Sequence, residues 1–407
     1  MVARRGRQRS AGRDFQNRGH GDLKGAGFMK QVSVLLVGVG GYGAGYVREM
    51  LDHGAERGVS LAGVVDPFAA ASRYYDELAA CGVGFFDTVE AFYAGNGADL
   101  AVISTPIQFH AHQAIYCVEH GSHVLCEKPA AATVEDVERM IEARDRTGKT
   151  LAIGFQWCYD PAMLRLKADV DAGLLGRPVS MKSLVLWPRA VSYYKRGLGW
   201  AGKKYDAAGA AIFDNVASNA TAHYIENMLW LAGEGYGGVD VADMRVQTLR
   251  ANDIEMFDTI VMDAALENGA GMFFVASHAT GPDGWQNPVF EYEFENATVR
   301  YGMLGGDSDA LVATFRDGAV KDYGASSTGG CDRKLETAIA LVRGEAVPLP
   351  CPLEAAIRHT RAMAMIRAKR PEAEVFPSGA ARTDDGMVWV PGLKDRLVRC
   401  YENREML

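Results

Sequence analysis

Between residues 29 and 155, short apolar runs alternate with stretches whose apolar positions recur every three or four residues, so strands and helices should follow one another in turn. Residues 32–38 read as a first strand, followed by a glycine turn and a helix that continues through 44–53. A second strand over 61–65 closes on Asp66-Pro67. A buried-type strand over 100–104 closes on Thr105-Pro106, with a helix around 110–119 behind it. Strands over 123–126 and 151–155 complete the set. Between them Thr133 is placed to cap a helix to about residue 146, with Glu135 and Asp136 in its first turn, where the helix dipole favours negative charge. This alternation predicts a parallel, doubly wound sheet.

The pattern changes after Pro161. A helix over 162–172 ends in a glycine-rich turn, residues 179–187 read as a long strand, and an aromatic and basic loop leads to a helix near 209–231. Strand-like runs at 244–249, 257–265, 272–278 and 289–294 then follow without helices between them. That succession predicts an α+β second half with a largely antiparallel sheet. In the 209–231 helix Asn215, Asn219, His223 and Asn227 recur every four residues, one polar stripe through apolar neighbours. Asn and His are poor helix formers, so the stripe either faces a cleft or is satisfied by a neighbouring loop.

Composition narrows the class. The chain has 407 residues, 48% hydrophobic and 23% charged, long enough for two domains with separate cores. No run approaches the ~18 to 20 consecutive apolar residues of a membrane span. The seven cysteines (81, 117, 126, 158, 331, 351 and 400) are scattered, without the close pairing of a zinc site or a redox dithiol. They read as reduced thiols of a cytoplasmic protein, and no metal is expected. The net charge of −8 is unevenly spread: residues 1–28 carry seven basic side chains against two acidic ones, a net of +5, which leaves −13 on the rest. So acidic a body argues against nucleic acid as the main partner. The basic head has no apolar stretch behind Arg4-Arg5, so it fits neither a secretory nor a twin-arginine signal. Its Gly, Arg and Ser content cannot build a core. The head is expected to be disordered or untranslated, with Met29 favoured as the start because it leads straight into the first strand.

The candidate chemistry sits at strand ends. In Gly38-Val39-Gly40-Gly41-Tyr42-Gly43, Gly38 permits a tight turn, Gly40 allows backbone to approach a pyrophosphate, and Gly43 allows close helix–strand packing. Asp66 lies 23 residues past Gly43, where a carboxylate can accept from ribose hydroxyls; the plainer reading is a turn aspartate before Pro67. Lys128, between an apolar strand and Pro129, could hydrogen-bond a substrate hydroxyl or share in moving its proton, although most lysines are solvated surface residues. The loop from Trp187 through Arg189, Tyr194 and Arg196 to Trp200 mixes rings that can stack on a sugar with donors for its hydroxyls; on composition it is equally an ordinary surface loop. These features predict an α/β protein with an N-terminal dinucleotide-binding Rossmann domain over 29–155. A substrate-binding and oligomerisation α+β domain over 156–407 would follow it.

Taken together these residues resemble the Gfo/Idh/MocA family of glucose–fructose oxidoreductase, inositol dehydrogenase and rhizopine-catabolism proteins. Thr105-Pro106 with His110 is similar to the family's Thr-Pro-x-x-x-His segment, with Ile107 where Asn is common. Glu127-Lys128-Pro129 matches its Glu-Lys-Pro signature, whose lysine is catalytic in the family. Residues 154–161 are similar to its Gly-Phe-Asn-Arg-Arg-Phe-Asp-Pro segment, with Gln156 for the Asn and Trp157-Cys158 for the basic pair. The family usually carries Asp-x-x-x-His in the second-domain helix. Here Asp214 and His223 are nine residues apart, opposite faces of an ideal helix, and Asn219 stands four before His223. The resemblance therefore implies Asn219 and His223 as the functional pair, with an amide in place of the carboxylate.

The resemblance further implies an NAD-dependent oxidoreductase of a sugar, sugar acid or polyol, with Lys128, His223 and Asn219 catalytic. Gly38, Gly40, Gly41, Tyr42, Gly43, Asp66, Thr105, Pro106, His110, Glu127 and Lys128 would bind the cofactor. Gln156, Trp157, Tyr194, Trp200 and Asn215 would bind substrate. NADP stays open, because Arg73 could meet a 2′-phosphate. On the same fold a redox-neutral glycosidase or epimerase is the alternative, and a non-catalytic sugar-sensing regulator a third. A homodimer or homotetramer is expected.

Overall fold

The protein is described from a computed structural model covering residues 30–196, 199–326 and 330–407. The basic head and Met29, on which the expectation of a disordered or untranslated segment rests, lie outside the described residues.

Six strands form the first sheet: β1 (Val32–Val37), β2 (Val59–Val65), β3 (Phe85–Phe86), β4 (Leu100–Ile103), β5 (His123–Cys126) and β6 (Leu151–Ile153). Their spatial order is β3-β2-β1-β4-β5-β6, and every pairing is parallel. The order reverses between β1 and β4, which opens a crevice beyond the carboxyl ends of those strands. Helices α1 (Gly43–His53), α2 (Tyr75–Ala80), α3 (Val89–Tyr93), α4 (Ile107–Glu119) and α5 (Val134–Thr147) make the crossovers. Thr133 caps α5, its Oγ1 accepting the Asp136 N–H at 3.2 Å. Strands β1, β4, β5 and β6 are buried nearly throughout, and along β1 alternate residues serve different cores: Leu35 and Val37 pack with α4 and α5, Val34 and Leu36 with α1.

The second half begins with α6 (Pro161–Asp171), capped by Asp160, whose Oδ1 accepts from the N–H groups of Ala162 and Met163. It continues through β7 (Pro178–Leu186), the short α7 (Val191–Tyr194) and α8 (Ala222–Ala232). Strands β8 (Val241–Arg250), β9 (Thr259–Leu266), β10 (Gly271–Ser277), β11 (Gln286–Phe294), β12 (Ala297–Met303), β13 (Gly306–Phe315) and β14 (Val320–Ala325) follow. Then come α9 (Asp332–Arg343), α10 (Leu353–Lys369), β15 (Glu374–Val375), a hairpin of β16 (Arg382–Asp384) and β17 (Met387–Trp389), and α11 (Leu393–Asn403). Nine strands form the second sheet in the order β14-β13-β12-β11-β7-β10-β9-β8-β15, antiparallel except for the β7–β10 and β8–β15 pairs. All eleven residues of α8 are buried. One core runs from β1 and β4 through α8 and α10 to the second sheet.

The sequence reading has no counterpart for β3, β12, β13 or β14, and two further features depart from it. The expected helix over 209–231 is only its last half: residues 212–215 are irregular, 216–221 are turns and helix begins at Ala222. Local side chains hold those turns, with Asn215 Oδ1 accepting the Ala217 and Ser218 N–H groups and Ser218 Oγ accepting that of Asn215. The polar stripe therefore dissolves, and Asn215, Asn219, His223 and Asn227 do not share one helical face. The second feature is α9, which packs through Leu335, Ala338, Ile339 and Val342 against β1, β4 and α1 in the core of the first sheet.

Candidate active site

The crevice at the reversal point opens into a cavity of about 1600 Å³. Its lining comes from the turns after β1, β2, β4 and β5 and, from the second half, from residues around α8, β7 and β12.

The glycine turn is shaped for an anion. Gly38 has φ +84°, a conformation L side chains rarely adopt, and a Cβ on Gly43 would lie 2.2 Å from the Gly38 carbonyl oxygen and 2.5 Å from Ser104 Oγ. Those two glycines let α1 start against the strand ends. Around Gly40 and Gly41 there is open space on the cavity side. Asp66, at the end of β2, accepts the Val39 N–H at 2.9 Å through one oxygen and the Phe68 N–H at 2.8 Å through the other. It is thus a turn aspartate as well as a cavity residue, and it fixes the glycine turn to β2. Pro67, Phe68, Asp87 and Glu90 line this end. Arg73 is not among the lining residues; its guanidinium carbon lies 4.8 Å from the Tyr74 ring.

His110 ties two of the sequence segments together. Its ring nitrogens lie 2.8 Å from the Thr105 carbonyl and 2.9 Å from that of Pro129, so it braces the turns after β4 and β5. Burial lowers its pKa. Glu127 accepts from Tyr46 OH at 2.6 Å and pairs with Lys334 of α9, which also donates to Tyr42 OH at 3.1 Å. Its carboxylate is thus engaged beneath the site. Nothing in the local sequence marks Lys334 or Tyr46, because α9 reaches the first sheet only through tertiary folding.

At the centre stands Lys128, after β5. Its Nζ donates to the Asn219 carbonyl at 2.6 Å and to Asn219 Oδ1 at 3.0 Å. Asn219 Nδ2 in turn donates to Asp214 Oδ1 at 2.9 Å, and Asp214 Oδ2 accepts the Gly202 N–H at 2.7 Å. Asp214 is therefore not turned away as the straight-helix reading expects; the non-helical stretch over 214–221 folds it behind Asn219, one hydrogen bond from the lysine's partner. Burial pushes Lys128 down to about 8, against the upward pull of Glu127 and Asp214. Burial also raises the Asp214 carboxyl, opposed by its hydrogen bonds and by Arg196 and Lys128. His223, in the first turn of α8, lines the same cavity with its Nδ1 buried and unpartnered. Burial, then the nearby lysine charges, hold it far below the usual imidazole range, so it is neutral.

Of the residues the sequence points to, Gly38, Gly40, Gly41, Tyr42, Asp66, Thr105, Pro106, His110, Glu127, Lys128, Gln156, Trp157, Trp200, Asn219 and His223 line this one cavity. Gly43 is behind it, in helix packing, and neither Tyr194 nor Asn215 lines it. Tyr194 OH is buried without a partner, while Asn215 is spent on holding its own turn. Trp157 is mostly interior, packed edge-on against Tyr224, Phe290 and Tyr301. The cysteines, scattered in sequence, are not all scattered in space: Cys158, Glu226 and Cys351 are buried with ligand atoms within 4.8 Å of one another. Structural zinc sites take four ligands, and this group offers three.

Residues 32–155 match the model of an oxidoreductase family with an NAD-binding Rossmann fold. Inositol 2-dehydrogenase of Corynebacterium glutamicum (strain R) is 24% identical over 290 residues, 71% of this chain and 77% of that protein. The rhizopine catabolism protein MocA of Rhizobium meliloti is 28% identical over 199 residues, 49% of this chain and 56% of the relative. The WlbA dehydrogenase of Bordetella pertussis, solved with NADH and UDP-GlcNAcA, shares the fold with a TM-score of 0.67 at 23% identity, over 84% of this chain and 97% of that one. Among the described residues no helix is long and apolar enough to cross a membrane.

Proposed function

Starting from a chain that belongs to the Gfo/Idh/MocA family of NAD-dependent oxidoreductases acting on CH–OH groups, we propose that it oxidises a carbinol carbon of a sugar, sugar acid or polyol. The observation that carries this reading is the position of Lys128. Its depressed amine, fixed by Asn219, lines the same cavity as the glycine turn, beside His223.

The residues present fit the dinucleotide. The turn over Gly40 and Gly41 and the start of α1 would take its pyrophosphate, and Asp66 a ribose. Asp87 and Glu90 on the same wall, with Arg73 outside it, favour NAD over NADP. When bound, NAD supplies the hydride acceptor. The protein's part is to hold the alcohol and remove its proton. In the neutral amine of Lys128, the Asn219 carbonyl and Oδ1 take both N–H groups, which leaves the nitrogen lone pair for the substrate hydroxyl. Lys128 is the better base, because His223 is held neutral and far from protonation; the imidazole orients the hydroxyl. The wider inositol and polyol chemistry rests on the relatives' names and on the polar, ring-lined mouth of the cavity.

The test is NADH formation at 340 nm across sugars, inositols and sugar acids. Lys128→Met should keep NAD binding and lose turnover by about 10²- to 10⁴-fold, the range of a general base. Near-native turnover in that variant would overturn the assignment. Product formed without NADH accumulation would favour the redox-neutral alternative instead.

A further inference from the structure

Two arginines stand in the cavity wall with no carboxylate partner among the described residues. Arg189 follows β7 and Arg196 follows α7, and both line the cavity that holds Lys128. The Arg189 guanidinium carbon lies 5.1 Å from the Tyr193 ring centroid, 5.7 Å from Trp187 and 5.9 Å from Trp285, and its Nε is buried and unpartnered. Arg196 lies 3.6 Å over that same Tyr193 ring and 4.7 Å from Trp200, and it donates to the Tyr193 carbonyl at 2.7 Å. Among the described residues the most buried lysines are paired, Lys334 with Glu127 and Lys167 with Asp171, whereas Arg367, also without a carboxylate, stacks on Phe213 outside the cavity lining. The nearby carboxylates are already taken. Asp214 serves Gly202 and Asn219, and Asp258 serves Ala251, Asn252 and Thr259. Asp307 and Asp309 also line the cavity but are exposed, and Asp307 accepts from Asn287.

A guanidinium stacked by its face on aromatic rings keeps its edge free, and the edge is what grips an oxyanion in a two-point bond. We propose that Arg189 and Arg196 form an anion-binding subsite and that the substrate is an anionic sugar, bearing a carboxylate or a phosphate. This rests on the dehydrogenase reading above. Arg196 is near enough to Lys128 and Asp214 to act on their ionisation, so the anionic group sits in the same compartment as the reacting carbon.

The experiment uses the full chain with saturating NAD at fixed ionic strength. Matched pairs are compared: glucose against glucuronate, galactose against galacturonate, glucose against glucose 6-phosphate. The expected result is at least a tenfold higher kcat/KM for the anionic member of a pair. The uronate and phosphate arms distinguish the two anions. In Arg189→Gln and Arg196→Gln the KM for that anion should rise tenfold or more, with Arg→Lys variants recovering part of the loss. Neutral sugars used as well as their anionic partners, with the variants harming both alike, would overturn the proposal. If no compound is oxidised, the dehydrogenase reading fails, and thermal shifts with the same pairs still decide the subsite. A shift for the anions alone, lost in the glutamine variants, supports it; equal shifts, or none, overturn it.

Discussion

At the scale of single residues, the site turns on how one amine is held. Removal of the substrate proton needs Lys128 neutral, so kcat/KM for oxidation should rise with pH and level off above about 8. Asp214 favours the charged form of that lysine from behind Asn219. Asp214→Asn should therefore move the inflection below 8 as well as loosen the Asn219 amide; a pH–rate profile reads the shift, which a purely structural role would not produce. Lys128, Asp66 and the glycines were legible because each belongs to a short motif at a strand end. Asp214 was misjudged because its distance from His223 was measured along a helix that does not extend so far. Gly43 and Asn215 do structural work that residue type alone does not separate from ligand contact.

At the scale of elements, apolar runs marked five of the six strands of the first sheet to within two residues, since buried parallel strands read as near-continuous apolar segments; β3, two half-buried residues long, is too short to show such a run and was missed. Spacing of four failed over 214–221, because Asn and Ser side chains there bond their own backbone and support turns at the same period. Helix α8, by contrast, is buried all round and carries Glu226 with both oxygens unpartnered. Burial holds its carboxyl well above the usual range. The folded state thus keeps a proton that the unfolded chain releases above about pH 4.5, and stability contributed by this group falls as pH rises beyond that point, by up to about 1.4 kcal/mol per pH unit. Glu226→Gln should show a flatter fall in melting temperature between pH 5 and 7 than the native protein. Parallel curves would mean that another group satisfies the carboxylate.

At the scale of the whole molecule, a helix from late in the chain is tied into the first sheet. Lys334 reaches from α9 to Glu127 under the cavity floor, and both side chains are nearly inaccessible to water. Lys334→Met would strand a buried carboxylate, at a cost of about 3–5 kcal/mol. Chemical denaturation should show that loss with a single transition, and a loss below about 1 kcal/mol would mean that water or Tyr46 compensates. No local pattern announced this tie, since its partners are 207 positions apart. The same helix has a consequence for how the protein is made. Leu335, Ala338, Ile339 and Val342 complete a core that begins at Val32, so the nucleotide half remains unfinished on the ribosome after its own last strand has emerged. Roughly 190 further residues must be added first, about 10–40 s at ordinary elongation rates, and through that interval the bare face of the nascent sheet is open to chaperones, to proteases and to other unfinished chains.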